Sequence, residues 1–351
     1  MPAMPAALEQ FMGKMLGDMG AAISGALVVL GDRLGLYRAL GSSAPMTAAE
    51  LAKKTGTSER YLKEWLAAQA ASGYVTHLSG TEKFTLSPEQ KMVFADENSP
   101  TCMVGAYDIV LAMFHDVPKL EEAFRTGKGV GWHEHHQCLF KGTERFFRPG
   151  YVANLVNSWL PALNGVVDKL NKGAKVADIG CGHGASTILM AKAFPKSQFI
   201  GFDYHPASID RAKQAAKEAG ANNCQFEIAD SRKYPGTGYD LVAFFDCLHD
   251  MGDPVGAAKH VKTTLAADGT WLIVEPFAND TLEANMNPVG RIFYSASTML
   301  CVPASLSQDV GLGLGAQAGE KKLKEVITAG GFTKFRRATE TPFNLILEAK
   351  V

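Results

Sequence analysis

The 351-residue sequence has no excess of charge of either sign: 35 Lys and Arg stand against 36 Asp and Glu, a formal net charge of −1. That balance excludes an overall basic field of the kind that gathers nucleic acid or acidic membranes. Cysteine is sparse, with six residues at 102, 138, 181, 224, 247 and 301 and no C-x-x-C pair. They read as reduced thiols of a cytoplasmic protein, each a small buried hydrophobe, and not as a disulfide framework. No cationic stretch precedes the first apolar residues, which argues against a secretory signal. The apolar run 21–30 is too short to span a bilayer and is followed by Asp32 and Arg33. The expectation is a soluble chain with no membrane partner, long enough for two domains and a large core.

What is present is organised around Val176-Ala177-Asp178-Ile179-Gly180-Cys181-Gly182-His183-Gly184. This reads as a buried strand, a glycine-rich turn and a helix from Ala185 to Phe194. Glycines at 180, 182 and 184 let backbone approach a ligand where a Cβ would collide. Helix N-terminal amides just beyond them offer unpaired donors. Asp178 is expected to fix the turn through side-chain bonds to backbone. The spacing is G-x-G-x-G, not the G-x-G-x-x-G that holds a pyrophosphate, and an acid already in the strand would repel phosphate. A ligand without phosphates is implied.

The following strands each end in an acid. Phe199 to Asp203 places a carboxylate where it can accept both ribose hydroxyls. Gln225 to Ser231 ends in Asp230, positioned for an adenine amino group, and Tyr239 to Asp246 follows. With Asp178, the three glycines, Asp203, Asp230 and Asp246, the chain resembles the class I S-adenosylmethionine-dependent methyltransferases. The resemblance implies an α/β, Rossmann-like domain with a mostly parallel seven-stranded sheet and S-adenosyl-L-methionine as cofactor. It implies cofactor binding by Asp178, Gly180, Cys181, Gly182, Gly184, Asp203, Tyr204, Asp230, Ser231 and Asp246.

Further along, Cys247-Leu248-His249-Asp250-Met251-Gly252 resembles the plant-type and related bacterial O-methyltransferases. That match makes His249 a general base and Glu275, at the end of the strand Thr270 to Pro276, the acid that orients it, leaving the other ring nitrogen facing substrate. Met251 and Gly252 depart from the family pattern, and the family's second acid falls near Gln317. The residues between 279 and 306 form an insertion whose helix roofs a pocket, with Arg291 and Tyr294 as substrate contacts. Gly311 to Gly315 reads as a mobile loop or lid hinge. Glu320 to Ala329 is the last helix, and Phe332 to Ala338 pairs with Phe343 to Ala349.

Ahead of this domain, 8–40 reads as helix bent around glycines, with Leu8, Met12, Met15, Met19 and Ile23 in one apolar stripe, a core face or dimer seam. Thr47 and Glu50 form a capping box, Gly56 ends that helix, and a second runs to Ser72 before a hairpin. Helix, turn, helix and hairpin make a winged helix-turn-helix. Its second helix carries Glu59 and Glu64 against Arg60 and Lys63, too neutral for a DNA reader. The module resembles the dimerising N-terminal domain of small-molecule O-methyltransferases, and also a bacterial group labelled either methyltransferase or transcriptional regulator.

Between the two, 87–128 reads as helical with a helix from Thr101 to Phe114, and 127–131 as a flexible bend. Trp132-His133-Glu134-His135-His136 lacks metal spacing and has no acidic or cysteine partner in view, so no metal is assigned; it lines a substrate pocket or caps a helix. Arg145 to Tyr151 mixes aromatics and cations, and a sulfonium favours aromatic faces. Phe147 is thereby assigned to the cofactor, and Tyr107, Trp132, His133, Phe146 and Tyr151 to the substrate, ordinary interdomain core being the other reading. The expected boundaries are 1–100 for a winged-helix dimerisation domain, 101–163 for a helical, pocket-covering linker and 164–351 for the methyltransferase domain. Function is then methyl transfer to a small molecule, on oxygen with a base, or on sulfur or nitrogen by proximity alone. A winged-helix regulator with a methyltransferase-like sensor is the reading from another class.

Overall fold

The computed structural model describes residues 5–351; residues 1–4 of the expected first domain lie outside the described residues. The chain divides into two compact units, each discontinuous. One runs to Ala112 and adds Lys141–Pro149; the other comprises Met113–Phe140 and Gly150–Val351.

The first unit begins with helix α1 (Ala6–Arg33) and the short α2 (Leu36–Gly41). Five internal glycines do not break α1, so the expected bend falls at its end, around Gly35. The helix is 28 residues long and by length and apolarity alone could cross a membrane, longer than the ten apolar residues taken from the sequence. Its C-terminal part is instead packed in protein: Val28 joins Leu36, Tyr37, Leu40, Leu51, Trp65 and Leu66 in one core. Its N-terminal stripe is bare, with Leu8 47%, Met19 55% and Ile23 68% exposed.

Helices α3 (Ala48–Thr55) and α4 (Glu59–Ala71) follow. Thr47 and Glu50 close both bonds of the capping box, and Gly56 ends α3 in the left-handed conformation. Strands β1 (Thr76–His77) and β2 (Phe84–Thr85) pair antiparallel, and Met46 bridges Phe84 to complete a minimal wing. On α4, Arg60 meets Glu64 at 2.6 Å and Lys63 meets Glu59 at 2.7 Å, so both cations are neutralised one turn away. Pro88–Phe94 and Ala106–Thr126 are the next helices, so the helix expected from Thr101 starts five residues later and runs past Pro118.

Lys141–Pro149 belongs to this unit through charge. Arg145 reaches Asp32 at 2.6 Å, Glu97 at 3.0 Å and Asp108 at 3.4 Å, while Arg33 also pairs with Asp108 at 3.0 Å. Asp32 and Asp108 are almost buried, so their charges depend on these partners.

The second unit is a seven-stranded sheet in the order β5-β4-β3-β6-β7-β9-β8. Its strands are β3 (Lys175–Ile179), β4 (Gln198–Asp203), β5 (Cys224–Ile228), β6 (Tyr239–Phe245), β7 (Leu265–Pro276), β8 (Lys334–Glu340) and β9 (Asn344–Lys350). Five are parallel, and β9 joins β7 antiparallel with β8 outside it. The central strands are apolar on both faces, as a doubly covered sheet requires: Val176, Ala177, Val242, Phe244, Trp271 and Ile273 are wholly buried. Within β7 the register jumps from Tyr239↔Leu265 to Leu241↔Thr270, and the extra residues, Asp268 and Gly269 among them, bulge out. The chain reverses direction across the sheet between β5 and β6, and such a switch opens a crevice at the carboxyl ends of the strands.

The bend at 127–131 is not free. Val130 N–H donates to Pro303 at 3.0 Å, and a Cβ on Gly129 would stand 2.0 Å from Ser307 N. The expected lid hinge is likewise tied down: Leu312 N–H donates to Gly252 at 2.9 Å and Gly315 N–H to His249 at 3.2 Å.

Replacing Arg145 by Met leaves Asp32 and Asp108 short of a cation; the first unit should lose stability toward the lower end of about 3–5 kcal/mol, since Arg33 and Arg38 remain. Urea unfolding followed by tryptophan fluorescence measures it, and an unchanged midpoint would show the network to be dispensable.

Candidate active site

The glycine turn is built as a backbone cradle. Gly180 and Cys181 N–H both donate to Phe202 O, at 2.8 and 3.1 Å, which locks the turn to β4. Gly180, Gly182 and Gly184 all have positive φ, 71°, 52° and 80°. A Cβ on Gly180 would press on Cys247 Sγ at 2.9 Å, and one on Gly184 on the Phe226 ring at 2.7 Å. At Gly182 a Cβ would meet nothing within 4 Å. Two glycines therefore serve the protein's own packing, and the middle one faces open space.

Asp178 departs from the expectation of side-chain bonds to the turn backbone. One carboxylate oxygen accepts from Ser186 and Thr187 hydroxyls, both at 2.6 Å, on the first turn of the helix Ala185–Ala193. The other oxygen is buried without a partner. Burial lifts its pKa to about 6 in spite of the two hydroxyls. Asp203, at the end of β4, accepts from Gly182 N–H at 3.0 Å and His205 N–H at 2.9 Å, and burial raises its pKa as well. Tyr204 follows it half-exposed, edge-on to His133 with ring centres 6.1 Å apart. Asp230 is already engaged by Arg232, whose guanidinium contacts both its oxygens at 3.1 and 2.8 Å, with Ser231 partly buried next to it.

Asp246 takes up φ 51°, a left-handed conformation that Asp adopts more readily than most residues. Its oxygens accept from Tyr151 Oη at 3.1 Å and Asn344 Nδ2 at 3.0 Å. Tyr151 is thus a partner of Asp246 and lies against Phe245 and Trp159. Burial first, and then the Glu275 charge, push the Asp246 pKa up to about 8.

His249 and Glu275 are brought together. Both are almost fully buried; the imidazole Nδ1 lies 2.5 Å from Glu275 Oε2, and Glu275 Oε1 accepts from Leu248 N–H at 2.9 Å. The other nitrogen is not bare, as the sequence had implied. Asp250 Oδ1 stands 3.1 Å from Nε2, and the Cys301 thiol belongs to the same cluster, the three atoms lying within 4.8 Å of one another. Burial opposes a charged imidazole, but Asp250 and then Glu275 outweigh it and hold the His249 pKa well above its ordinary value. Cys301 is pushed up to about 12 by burial and then by the Asp250 charge. The sequence pattern gave neither Asp250 nor Cys301 a role; Asp250 sat in the quoted motif, whereas Cys301 is 52 residues from His249 in the chain.

The remaining assignments separate. Trp132 and His133 open a single turn of 3-10 helix, and Trp132 packs edge-on to Phe140. The histidine run does have an acidic partner: His135 Nδ1 lies 2.9 Å from buried Asp116, which also accepts from His136 N–H at 2.9 Å. Tyr107, Phe146 and Phe147 fall in the first unit. There Tyr107 donates to Tyr74 Oη at 3.3 Å, and Phe146 and Phe147 meet edge-on at 5.0 Å. Arg291 and Tyr294 lie on the helix Pro288–Ala296, where Tyr294 with Ser295, Thr298 and Met299 lines an open depression of about 340 Å³. Gln317, in the place of the expected second acid, donates to Phe277 O at 3.1 Å.

Residues 170–331 match the methyltransferase domain family, and residues 21–95 match the Rv2258c-like winged HTH domain. The second unit carries a methyltransferase domain. Trans-aconitate 2-methyltransferase of Escherichia fergusonii is 32% identical over 102 residues, 29% of this chain and 38% of that protein. The chain spans less than half the length of the curated relatives it matches first. Human N-acetylserotonin methyltransferase, solved with S-adenosylmethionine, superposes with a TM-score of 0.70 over 100% of this chain and 99% of that one, at 18% identity. The mitomycin 7-O-methyltransferase MmcR gives 0.69 over 99% and 98%, also at 18%. These likenesses share the whole two-part fold.

S-adenosylmethionine is the methyl donor of this class of domain, and the crevice of the methyltransferase domain fits it. Gly182 is open where a ligand would pass, Asp178 keeps an orphaned buried oxygen, and a half-exposed Tyr204 ring stands next to Asp203. Carboxylates at the ends of β3, β4 and β6 favour a cation over a phosphate there.

A carboxyl pKa raised to about 8 means that folded Asp246 keeps a proton the unfolded chain releases. Stability should therefore fall as pH climbs from the ordinary aspartate range to about 8. Asp246→Asn mimics the protonated acid and tolerates φ 51°, so its melting midpoint should exceed that of the wild type at about pH 9 and match it only at about pH 3, below the ordinary aspartate pKa. Parallel melting curves would expose a charged Asp246.

Proposed function

We propose that this chain transfers a methyl group from S-adenosylmethionine to an oxygen of a small-molecule acceptor, with His249 as general base. The observation that carries it is the buried His249–Glu275 pair, 2.5 Å apart, at the same sheet edge as the glycine cradle. S-adenosylmethionine supplies an electrophilic methyl on a cationic sulfur. Asp203 would hold the ribose hydroxyls, the Gly182 backbone would give room for the amino-acid portion, and Tyr204 would lie along the adenine. Asp230 would reach the adenine amino group only by sharing its carboxylate with Arg232. Trp132, His133, Arg291 and Tyr294 are proposed as acceptor contacts.

Methyl transfer is an in-line displacement, so most of the barrier reduction comes from holding the acceptor at near-attack distance. His249 adds proton removal. Glu275 holds Nδ1 and fixes the ring, and Nε2 takes the acceptor proton once Asp250 has yielded that position and the ring has released the proton it shares there. The proximity of Asp250 to Nε2 favours one second reading, transfer to a sulfur or neutral nitrogen that requires no base.

His249→Ala should cut turnover by about 10²–10⁴-fold for an oxygen acceptor. The measurement is turnover with labelled cofactor on products identified by mass; near-normal turnover would assign the second reading. Asp203→Ala should abolish S-adenosylmethionine binding in calorimetry, and wild-type protein that binds none would sink the enzyme reading.

The exposed apolar stripe of α1 is proposed to bury itself against a second copy. Ile23→Glu should convert a dimer to a monomer in light scattering; a wild-type chain that is monomeric at micromolar concentration would refute it.

A further inference from the structure

His249 and Asp250 sit on the loop after β6, and Cys301 closes a π-helical turn (Ser297–Cys301) ahead of the helix Val302–Leu306. Such turns often mark functional positions. Three further bonds hold the two segments together. Gln308 Nε2 donates to Asp250 O at 2.9 Å, Ser305 Oγ to Met251 O at 2.8 Å, and Gln308 Oε1 accepts from Gly252 N–H at 3.2 Å. Gly313 N–H then donates to Ser305 Oγ at 3.0 Å, which fixes that hydroxyl in its turn. The thiol is therefore carried to the imidazole by a braced scaffold.

We infer that His249 Nε2, Asp250 Oδ1 and Cys301 Sγ form a three-ligand site for a zinc ion with an open fourth position. The donor set of imidazole, carboxylate and thiol suits zinc, and the soft sulfur disfavours magnesium and calcium. Zinc bonds of about 2.0–2.3 Å place tetrahedral ligand atoms roughly 3.3–3.6 Å apart. Nε2 and Asp250 Oδ1 are already at 3.1 Å, and all three atoms fall within 4.8 Å, so small side-chain rotations close the shell. Asp250 Oδ1 is buried and faces Nε2 as an ion pair, so the carboxylate is already turned toward the imidazole. Glu275 on Nδ1 is the carboxylate that metal-bound histidines characteristically carry on their other nitrogen, where it fixes the tautomer and strengthens the ligand.

Binding takes no oxidant: the Cys301 S–H bond breaks, its proton goes to solvent with any proton on Nε2, and sulfur and nitrogen lone pairs go to the metal. Zinc would occupy the nitrogen assigned to proton removal, so zinc-loaded enzyme should lose turnover on an oxygen acceptor in proportion to occupancy. That consequence rests on the methyltransferase reading; the binding does not.

The test uses the full-length chain stripped with a chelator and titrated with zinc and, separately, cobalt. Expected are one ion per chain, proton release on binding, and a thiolate-to-cobalt charge-transfer band. The band should vanish in Cys301→Ser, and zinc affinity should drop at least tenfold in Asp250→Asn, a second variant that guards against misfolding of the first. No retained metal, or binding indifferent to both substitutions, overturns the site even if S-adenosylmethionine binds normally. Zinc binding with these dependences but no S-adenosylmethionine binding would support the site and overturn the methyltransferase reading alone.

Discussion

The second unit is governed by an excess of buried negative charge at one edge of its sheet. Asp178, Asp203, Asp246 and Glu275 all end parallel strands on the same side, and His249 is the imidazole held among them by Glu275. The protein offsets part of the cost with hydroxyls from Ser186, Thr187 and Tyr151 and with backbone amides. The remainder appears as protons held too tightly: Asp178 titrates near 6 and Asp246 near 8. An edge so arranged favours cationic ligands and rejects phosphates. A sulfonium donor and a divalent metal would answer the same need at two neighbouring places, one beside Gly182 and one beside His249.

That the ligand lacks phosphate was legible because the relevant residues are local. Asp178 and the three glycines lie within seven positions, and each further acid marks the last residue of an apolar run. The capping box at Thr47 and Glu50 was readable for the same reason: three residues of spacing decide it. His249 and Glu275 were paired through family resemblance, and the sheet brings them together because β6 and β7 are neighbours in parallel register.

What escaped was long-range and side-chain specific. The partner of His135, Asp116, comes from the preceding helix, and the turn between them gives no periodic signal. Arg145 reads as one cation in an aromatic cluster, yet it serves three carboxylates up to 113 residues away. Cys301 looked like any isolated thiol until the insertion helix folded back on the loop after β6. The glycine run 311–315 looked mobile because flexibility was inferred from composition; the bonds to His249 and Gly252 that restrain it are tertiary.

The discontinuity of the two units has a bearing on how the protein is made. Ribosomal synthesis delivers α1, the wing and Ala106–Ala112 first, but Arg145 leaves the tunnel only after Met113–Phe140. Until then Asp32 and Asp108 share, among the described residues, Arg33 and Arg38. The winged-helix half therefore cannot complete its charge balance as an autonomous early-folding module, and a natural or engineered truncation at the apparent end of that half would strand two acids.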